Sequence, residues 1–423
     1  MLNQYIGLTI GPLYKTLTAV KHTRELWGAS YIFSYIMKKI IEKLKNNDVT
    51  FIIPYTSDEE IFQPGQEVGL FHDRFLFKAR ENDFNRLEAI INDVLTDMAN
   101  KINPAKTNDV FDFMKQYFQL YYCEISLEDD LKQVNEKMNT ILDSLELQST
   151  FIKQDKTNYL LDLFDKINAS FLIEDAFGKK KRHSFLSIPE IAALREKKDL
   201  DWTGINLFLK QNKQKQYDNT NDTELYVKLK EINGEKLKPY HKYIAIVQAD
   251  GDNLSKTIHS LKNDFEKLSK ALLDFSKQAH CTIKDYGGLT IFAGGDDLLF
   301  FAPVVSASSS VFDLVHELGD LFERCFDDFD RKPTLSSGIS ITYYKYPMGE
   351  ALENAAQLLF NTAKKIKVNN EEVKHAIAFD VQKHSGQKFS GILHKNAPYY
   401  EKFLQFIPMA TKFSWICSKP YLY

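Results

Sequence analysis

Phe292-Ala293-Gly294-Gly295-Asp296-Asp297-Leu298-Leu299-Phe300 sets two glycines and two carboxylates between apolar β-formers. Gly-Gly permits a chain reversal with positive φ, so the flanking runs read as a β-hairpin. The turn then presents Asp296 and Asp297 as neighbouring hard oxygen ligands. Adjacent carboxylates repel each other, and a divalent cation relieves that repulsion; Mg²⁺ held by carboxylates and substrate phosphates is the usual case. A purely structural Gly-Gly turn is the alternative.

Upstream, residues 243–249 read as a buried strand that ends at Asp250-Gly251-Asp252-Asn253. One helix, about 261–279, lies between that strand and the hairpin. Strand, helix, hairpin opens a split βαβ sheet, in which the first strand pairs antiparallel with the strand leaving the hairpin. Asp250 is therefore expected beside Asp296 and Asp297 at one edge of the sheet. Three converging carboxylates fit a two-metal site for nucleotidyl transfer, one Mg²⁺ or Mn²⁺ activating a 3′-hydroxyl and the other neutralising pyrophosphate. Downstream, 308–326 reads as a helix, 335–343 as a strand, 348–367 as a second amphipathic helix and 374–379 as a last strand. Lys364, Lys365 and Lys367 close the second helix, either as a solvated end that suits the macrodipole or as a triphosphate clamp.

An earlier part of the chain repeats this order. Residues 4–10 read as a strand, 13–44 as a long helix, 50–54 and 74–77 as strands, 83–101 and 110–120 as helices, and 121–127 as a strand. The expected fold is α+β, with two ferredoxin-like polymerase palms related by an internal repeat. The first palm, 1–127, has no acid at Ile10-Gly11-Pro12-Leu13 and reads as degenerate. A mostly helical segment, 128–238, follows; it carries the basic run Lys179-Lys180-Lys181-Arg182 and a polar stretch, 211–238. The second palm, 239–382, holds the carboxylates. A short aromatic segment, 383–423, includes Phe403, Phe406, Phe413 and Trp415.

Composition sets outer bounds. A chain of 423 residues should hold two or three domains, and 44% apolar with 26% charged residues is ordinary for a globular protein. A net charge of −3 gives no overall basic drive onto nucleic acid. No apolar stretch approaches the roughly 20 residues that span a bilayer. The N-terminus lacks the features of a signal peptide, so a cytoplasmic protein with no membrane partner is expected. Cys123, Cys281, Cys325 and Cys417 form no CxxC pair and read as packing residues. His72-Asp73 reads as a bare dipeptide without the further ligands of a metal-dependent nuclease.

With these residues in view, the chain resembles the large polymerase/cyclase subunit of type III CRISPR effector complexes, nearest to the type III-B branch. The resemblance rests on Ile10-Gly11-Pro12, His22-Thr23-Arg24-Glu25-Leu26-Trp27-Gly28-Ala29-Ser30-Tyr31, Asp73-Arg74-Phe75-Leu76 and Ser187-Ile188-Pro189-Glu190-Ile191-Ala192. It continues in Ala249-Asp250-Gly251-Asp252-Asn253, Gly294-Gly295-Asp296-Asp297 and Ser337-Gly338-Ile339.

The resemblance implies an adenylate second messenger made from ATP when target RNA pairs with CRISPR RNA in a complex with other subunits. The product would be a cyclic oligoadenylate, or ATP joined to S-adenosylmethionine. It further implies that Asp250, Asp296 and Asp297 are catalytic and hold metal together with Gly251. Asp252, Asn253, Gly294, Gly295, Ser337, Gly338, Lys364 and Lys365 would line the nucleotide. Arg24, Trp27 and Ser30 would line a second nucleotide on the first palm, Trp27 reading equally as core. The HD nuclease domain and cysteine cluster of many relatives are not matched, so no DNase activity is expected. Three rivals remain: a GGDEF-type cyclase, which predicts Glu-Phe after Gly-Gly-Asp, a stand-alone minimal polymerase, and a non-catalytic scaffold subunit.

Overall fold

The computed structural model describes residues 2–148, 157–178, 183, 185–195, 200–203, 205, 220–261, 264–368 and 371–412. The basic run 179–182, most of the polar stretch before residue 220, Phe413, Trp415 and Cys417 lie outside the described residues, as does the side chain of Lys367.

Two sheets organise the chain. In the first, β1 (Asn3–Gly11) is central, flanked antiparallel by β3 (Arg74–Ala79) and β4 (Gln119–Leu127), with β2 (Phe51–Ile53) outside β3. Helices α1 (Leu13–Thr18), α2 (Thr23–Lys45), α3 (Asp83–Ile102) and α4 (Thr107–Tyr117) supply the crossovers. The expected single helix over 13–44 is broken. The Glu25 carboxylate accepts from the backbone amides of Lys21 and His22 at 3.1 and 3.3 Å and so starts α2 afresh. Helix α5 (Leu131–Glu146), which the sequence places beyond the boundary at 127, lies on the other face of this sheet. There Val134, Met138 and Leu142 share a core with Tyr5 and Leu76.

The second sheet repeats the scheme. β5 (Tyr243–Asp252) is central between β7 (Asp297–Pro303) and β8 (Thr334–Tyr343), both antiparallel to it, and β6 (Leu289–Gly294) lies outside β7. Helices α6 (Phe265–Tyr286) and α7 (Val311–Cys325) are the crossovers. Strand order 4-1-3-2 holds in both sheets, so the repeat read from sequence is present in topology. The second sheet is then extended. Helix α8 (Met348–Gln357) leads to β9 (Ala376–Gln382), parallel to β8, and β10 (Lys388–His394) pairs antiparallel with β9. β10 and the following α9 (Pro398–Lys412) give structure to a segment the sequence left undefined. Phe403 packs its ring on Phe312 at 5.2 Å, whereas Phe406 is exposed.

Helix α8 also ends earlier than its periodicity implies. Gly338 on β8 lets the backbones close in, since a β-carbon there would lie 2.3 Å from the Ala355 carbonyl oxygen and 2.5 Å from the Leu359 nitrogen. After Gln357 the chain takes one wide π turn, Leu358–Thr362, and a 3₁₀ turn, Ala363–Lys365.

The two units face each other reciprocally. α2 of the first lies on β6 of the second, and α6 of the second lies on β2 of the first, within one continuous apolar core. The long loop between β2 and β3 is fixed to α6 along its length. The Tyr55 amide donates to Ser269 Oγ at 2.5 Å, Asp58 pairs with Lys277, and Glu67 pairs with Lys284 at 2.6 Å. Between the sheets the described residues form helices, including Tyr159–Asp165 and Phe171–Phe177 against α2 and Ile188–Ala192 against β5 and β7. Among the described residues no helix is long and apolar enough to cross a membrane.

Candidate active site

The site is built where β5 ends beside the β6–β7 turn. Gly294 pairs with Asp297, leaving Gly295 and Asp296 as a two-residue turn. Only Gly295 has positive φ, 69°, the arrangement of a II′ hairpin rather than a reversal at both glycines. Gly294 serves another purpose: a β-carbon on it would lie 2.4 Å from the Phe292 ring. The β5–β7 register runs to Ala249 opposite Leu298, so its next step sets Asp250 across from Asp297. Cross-strand partners share a face. Gly251 then admits the turn, because its β-carbon would meet Asp296 Oδ2 at 2.7 Å and the Phe322 ring at 3.1 Å.

The electrostatics are those of crowded acids. Burial pushes the Asp297 carboxyl well above the ordinary carboxylate range, with the charges of Asp296 and Asp73 adding to it. Burial also raises Asp296, against backbone hydrogen bonds from Gly251 and from its own amide and against His72. Asp250 instead faces a cation. Lys364 forms an ion pair with it and donates to the Gly251 carbonyl at 2.9 Å. Burial pulls the Lys364 ammonium down to about 8, with Lys374 adding like charge.

The expected three-carboxylate cage is not preformed. Among the described residues no three His, Cys, Asp or Glu side chains converge as a metal cluster, because Asp250 is turned to Lys364. The donor chemistry still fits a divalent cation: hard oxygens from two adjacent acids that oppose each other's ionisation, and a third acid already balanced by a positive charge.

Several expected nucleotide contacts take other places. Asp252 is fully buried; its Oδ2 accepts from Ser336 Oγ at 2.6 Å, Thr334 Oγ1 at 3.1 Å and the His375 amide at 2.9 Å. It clasps β5 to β8 and to the start of β9, and its Oδ1, without a hydrogen bond among the described residues, stands 3.9 Å from Lys364 Nζ. Asn253, at φ 59°, turns the strand into the helix Leu254–Ser260. Ser337 and Gly338 are interior, the latter spent on the α8 approach. Lys365 is exposed and donates to Asn361 at 3.1 Å, so of the two lysines only Lys364 enters the site.

On the first palm, Trp27 is 1% exposed, stacked on Tyr31 at 4.6 Å, flanked by Phe177 and Phe185, and donating Nε1 to the Glu67 carbonyl at 3.0 Å. It is a core residue, not a platform for a base. Ser30 is buried too. Arg24 pairs with Asp165 at 3.3 Å at the start of α2 and keeps partial exposure.

Sequence reasoning missed the first palm's approach to the turn. His72 lies against Gly295, and exposed Asp73 stands close enough to raise both Asp296 and Asp297. From the helix side, Ser276 Oγ donates to the Gly295 carbonyl at 3.2 Å. The available signal was positional: His72-Asp73 immediately precedes β3, as the Gly-Gly turn precedes β7.

Two family models match the chain: "Cas10/Cmr2, second palm domain" over residues 243–373 and "CRISPR-associated protein Cmr2, N-terminal" over residues 5–110. The CRISPR system Cmr subunit Cmr2 of Pyrococcus furiosus is 31% identical over 182 residues, which cover 36% of this chain and 20% of that protein. The matched part is thus about a fifth of that relative's length. The fold is similar to the apo type III-B Cmr-beta structure, with a TM-score of 0.60 at 10% identity, covering 98% of this chain and 73% of the other. It is also similar to a Csm1–Csm4 cassette in complex with AMPPNP, with a TM-score of 0.53 at 10% identity, covering 89% of this chain and 54% of the other. With both matched regions falling on the two palms described above, the chain belongs to the Cas10/Cmr2 family of CRISPR-associated proteins.

Proposed function

We propose that this chain is the nucleotidyltransferase subunit of a type III CRISPR effector complex, making an adenylate second messenger from ATP when target RNA is bound. The observation that carries this reading is the β5–β7 register, which runs to Ala249 opposite Leu298 and so brings Asp250 to the Asp296-Asp297 turn, with Lys364 paired to Asp250 as the adjoining cation. Csm1–Csm4 cassettes of similar fold were solved with one ATP, with pppApA and with cA4, which supports the substrate class.

Asp250, Asp296 and Asp297 would hold Mg²⁺ or Mn²⁺, which when bound supplies a lowered pKa at a 3′-hydroxyl and charge neutralisation at pyrophosphate. The chain's own residues do the rest. Lys364 exchanges Asp250 for the triphosphate oxygens of the donor ATP. The β5 and β7 backbones hold the reacting groups in line. The acceptor hydroxyl attacks the α-phosphorus, its proton leaves, and the bond to pyrophosphate breaks. Arg24, at the start of α2, is the remaining first-palm residue available to an acceptor nucleotide.

The acceptor is either a second ATP, giving a cyclic oligoadenylate, or S-adenosylmethionine. The partners are other subunits of the complex, with CRISPR RNA and target RNA reached through them. The deciding experiment is the product mass from ATP, with and without S-adenosylmethionine, in the assembled complex with and without target RNA. No product under any of these conditions sinks the enzymatic reading and leaves a scaffold role; equal turnover without target RNA favours a stand-alone polymerase.

A further inference from the structure

We propose that His72 of the first palm is a positioning residue for the carboxylate turn of the second palm, an inference that rests on the nucleotidyltransferase reading above. The His72 ring covers Gly295 so closely that a β-carbon there would lie 1.9 Å from Cε1, 2.7 Å from Nδ1 and 3.0 Å from Nε2. On its other side the Gly295 carbonyl lies 3.2 Å from Ser276 Oγ, whose hydroxyl it shares with the Leu272 carbonyl at 3.0 Å. The turn has only two residues, so any displacement of Gly295 displaces Asp296. Asp296 in turn is lodged over Gly251 with no spare room. The chain thus grips one peptide of the hairpin from two domains and passes that constraint to a carboxylate.

The grip is rigid at its root. Ile10 donates its amide to the Asp73 carbonyl at 2.9 Å, which ties the residue after His72 to the end of β1. The loop leading to His72 is fastened to α6 through Tyr55, Asp58 and Glu67. His72 therefore reports the relative placement of the two palms directly to the turn. A side chain that holds a metal ligand from behind typically changes metal affinity about 10- to 100-fold when removed. Because the ring acts through its contact with the turn, its effect belongs on metal affinity and turnover rather than on ATP affinity.

The test is a Mn²⁺ titration followed by electron paramagnetic resonance on wild type, His72→Ala, His72→Gln and Asp296→Ala/Asp297→Ala. It is paired with kcat and KM for ATP in the assembled complex. The expected result is an approximately tenfold loss of Mn²⁺ affinity in His72→Ala. A comparable fall in kcat should accompany it, with KM little changed and substantial recovery in His72→Gln, which restores a polar group of similar reach. Gly295→Ala should reproduce the loss, and combining it with His72→Ala should add little, since both break one contact. Unchanged Mn²⁺ affinity and kcat in His72→Ala, or fully additive losses in the double variant, overturn the proposal. If His72→Ala does not fold, His72→Asn, whose polar group reaches less far, takes its place: lost Mn²⁺ affinity in His72→Asn with recovery in His72→Gln supports the proposal, and wild-type affinity in His72→Asn overturns it. Mn²⁺ binding that survives in Asp296→Ala/Asp297→Ala overturns instead the metal site beneath it.

Discussion

Lys364 closes on the carboxylate of Asp250 and donates to the Gly251 carbonyl at 2.9 Å, so the turn after α8 is tied to the end of β5. The pair balances one acid of the site while Asp296 and Asp297, across the strand, oppose each other. That division of charge predicts that the three acids will respond differently to substitution.

Replacing Asp296 and Asp297 by Ala removes two half-buried acids whose ionisation desolvation opposes. Nucleotide synthesis should fall by several kcal/mol of transition-state stabilisation, about a thousandfold or more, while the thermal midpoint holds or rises. Asp250→Asn should lose activity alike but also loosen Lys364, lowering the midpoint. Product mass spectrometry and calorimetry on the same samples check both; near-wild-type synthesis in the double variant refutes the site.

The raised carboxyls give metal-free protein a specific pH response. An acid held above its unfolded value binds a proton more tightly in the folded state, so its stabilising contribution is complete below about pH 4 and is lost as pH rises through the raised value. Carboxyls held low elsewhere, such as Glu67, act the other way, so the site's share is read as a difference: the midpoint of metal-free wild type relative to Asp297→Asn should fall as pH climbs from about 4 towards neutrality. Mg²⁺ or Mn²⁺ should restore it, most strongly at the upper end. A metal effect independent of pH would contradict this.

How far the site could be read from sequence depends on the range of the interaction. The hairpin and the antiparallel pairing of β5 with β7 follow from local turn chemistry and one topological rule, and both were legible. Ser30, Ser337 and Gly338 lie in the interior rather than in the cleft, and Trp27, which the sequence reads equally as core or nucleotide contact, is core, because a family motif marks recurring residues without distinguishing the two. The covering rings of Phe177 and Phe185, and the close approach of α8, decide those cases. His72 was invisible for a different reason: its contact with Gly295 spans two domains and exists only once α2 lies on β6 and α6 on β2. The inward aim of Lys364 depended on a π turn that no periodicity announces.

Asp252 and Trp27 should behave as structural residues. Asp252→Asn weakens a fully buried acceptor of three hydrogen bonds, at a cost of about 1–3 kcal/mol. Trp27→Ala should cost about 3–5 kcal/mol by emptying a large core site. Trp27→Phe, which loses chiefly the Glu67 hydrogen bond, should leave KM for ATP unchanged. A raised KM in Trp27→Phe at wild-type stability would return Trp27 to the nucleotide site.

Lys364 supplies the last prediction. Burial lowers its ammonium to about 8, and triphosphate binding needs the charged form. Turnover at limiting ATP should therefore decline as pH rises past about 8, since deprotonation removes the cation and leaves Asp250 facing the triphosphate as an unbalanced negative charge. Lys364→Arg keeps a charge across that range because a guanidinium does not titrate there, so its descending limb should vanish or move up. Lys364→Met should raise KM for ATP more than it lowers kcat, the signature of a group that binds the ground state and the transition state alike. Stability adds an independent check: Lys364→Met leaves the half-buried Asp250 without its partner, which should lower the thermal midpoint, and Asp250→Asn in the same chain should recover part of the loss. A pH profile with the same descending limb in Lys364→Arg as in wild type would show that another group sets it and remove Lys364 from the triphosphate.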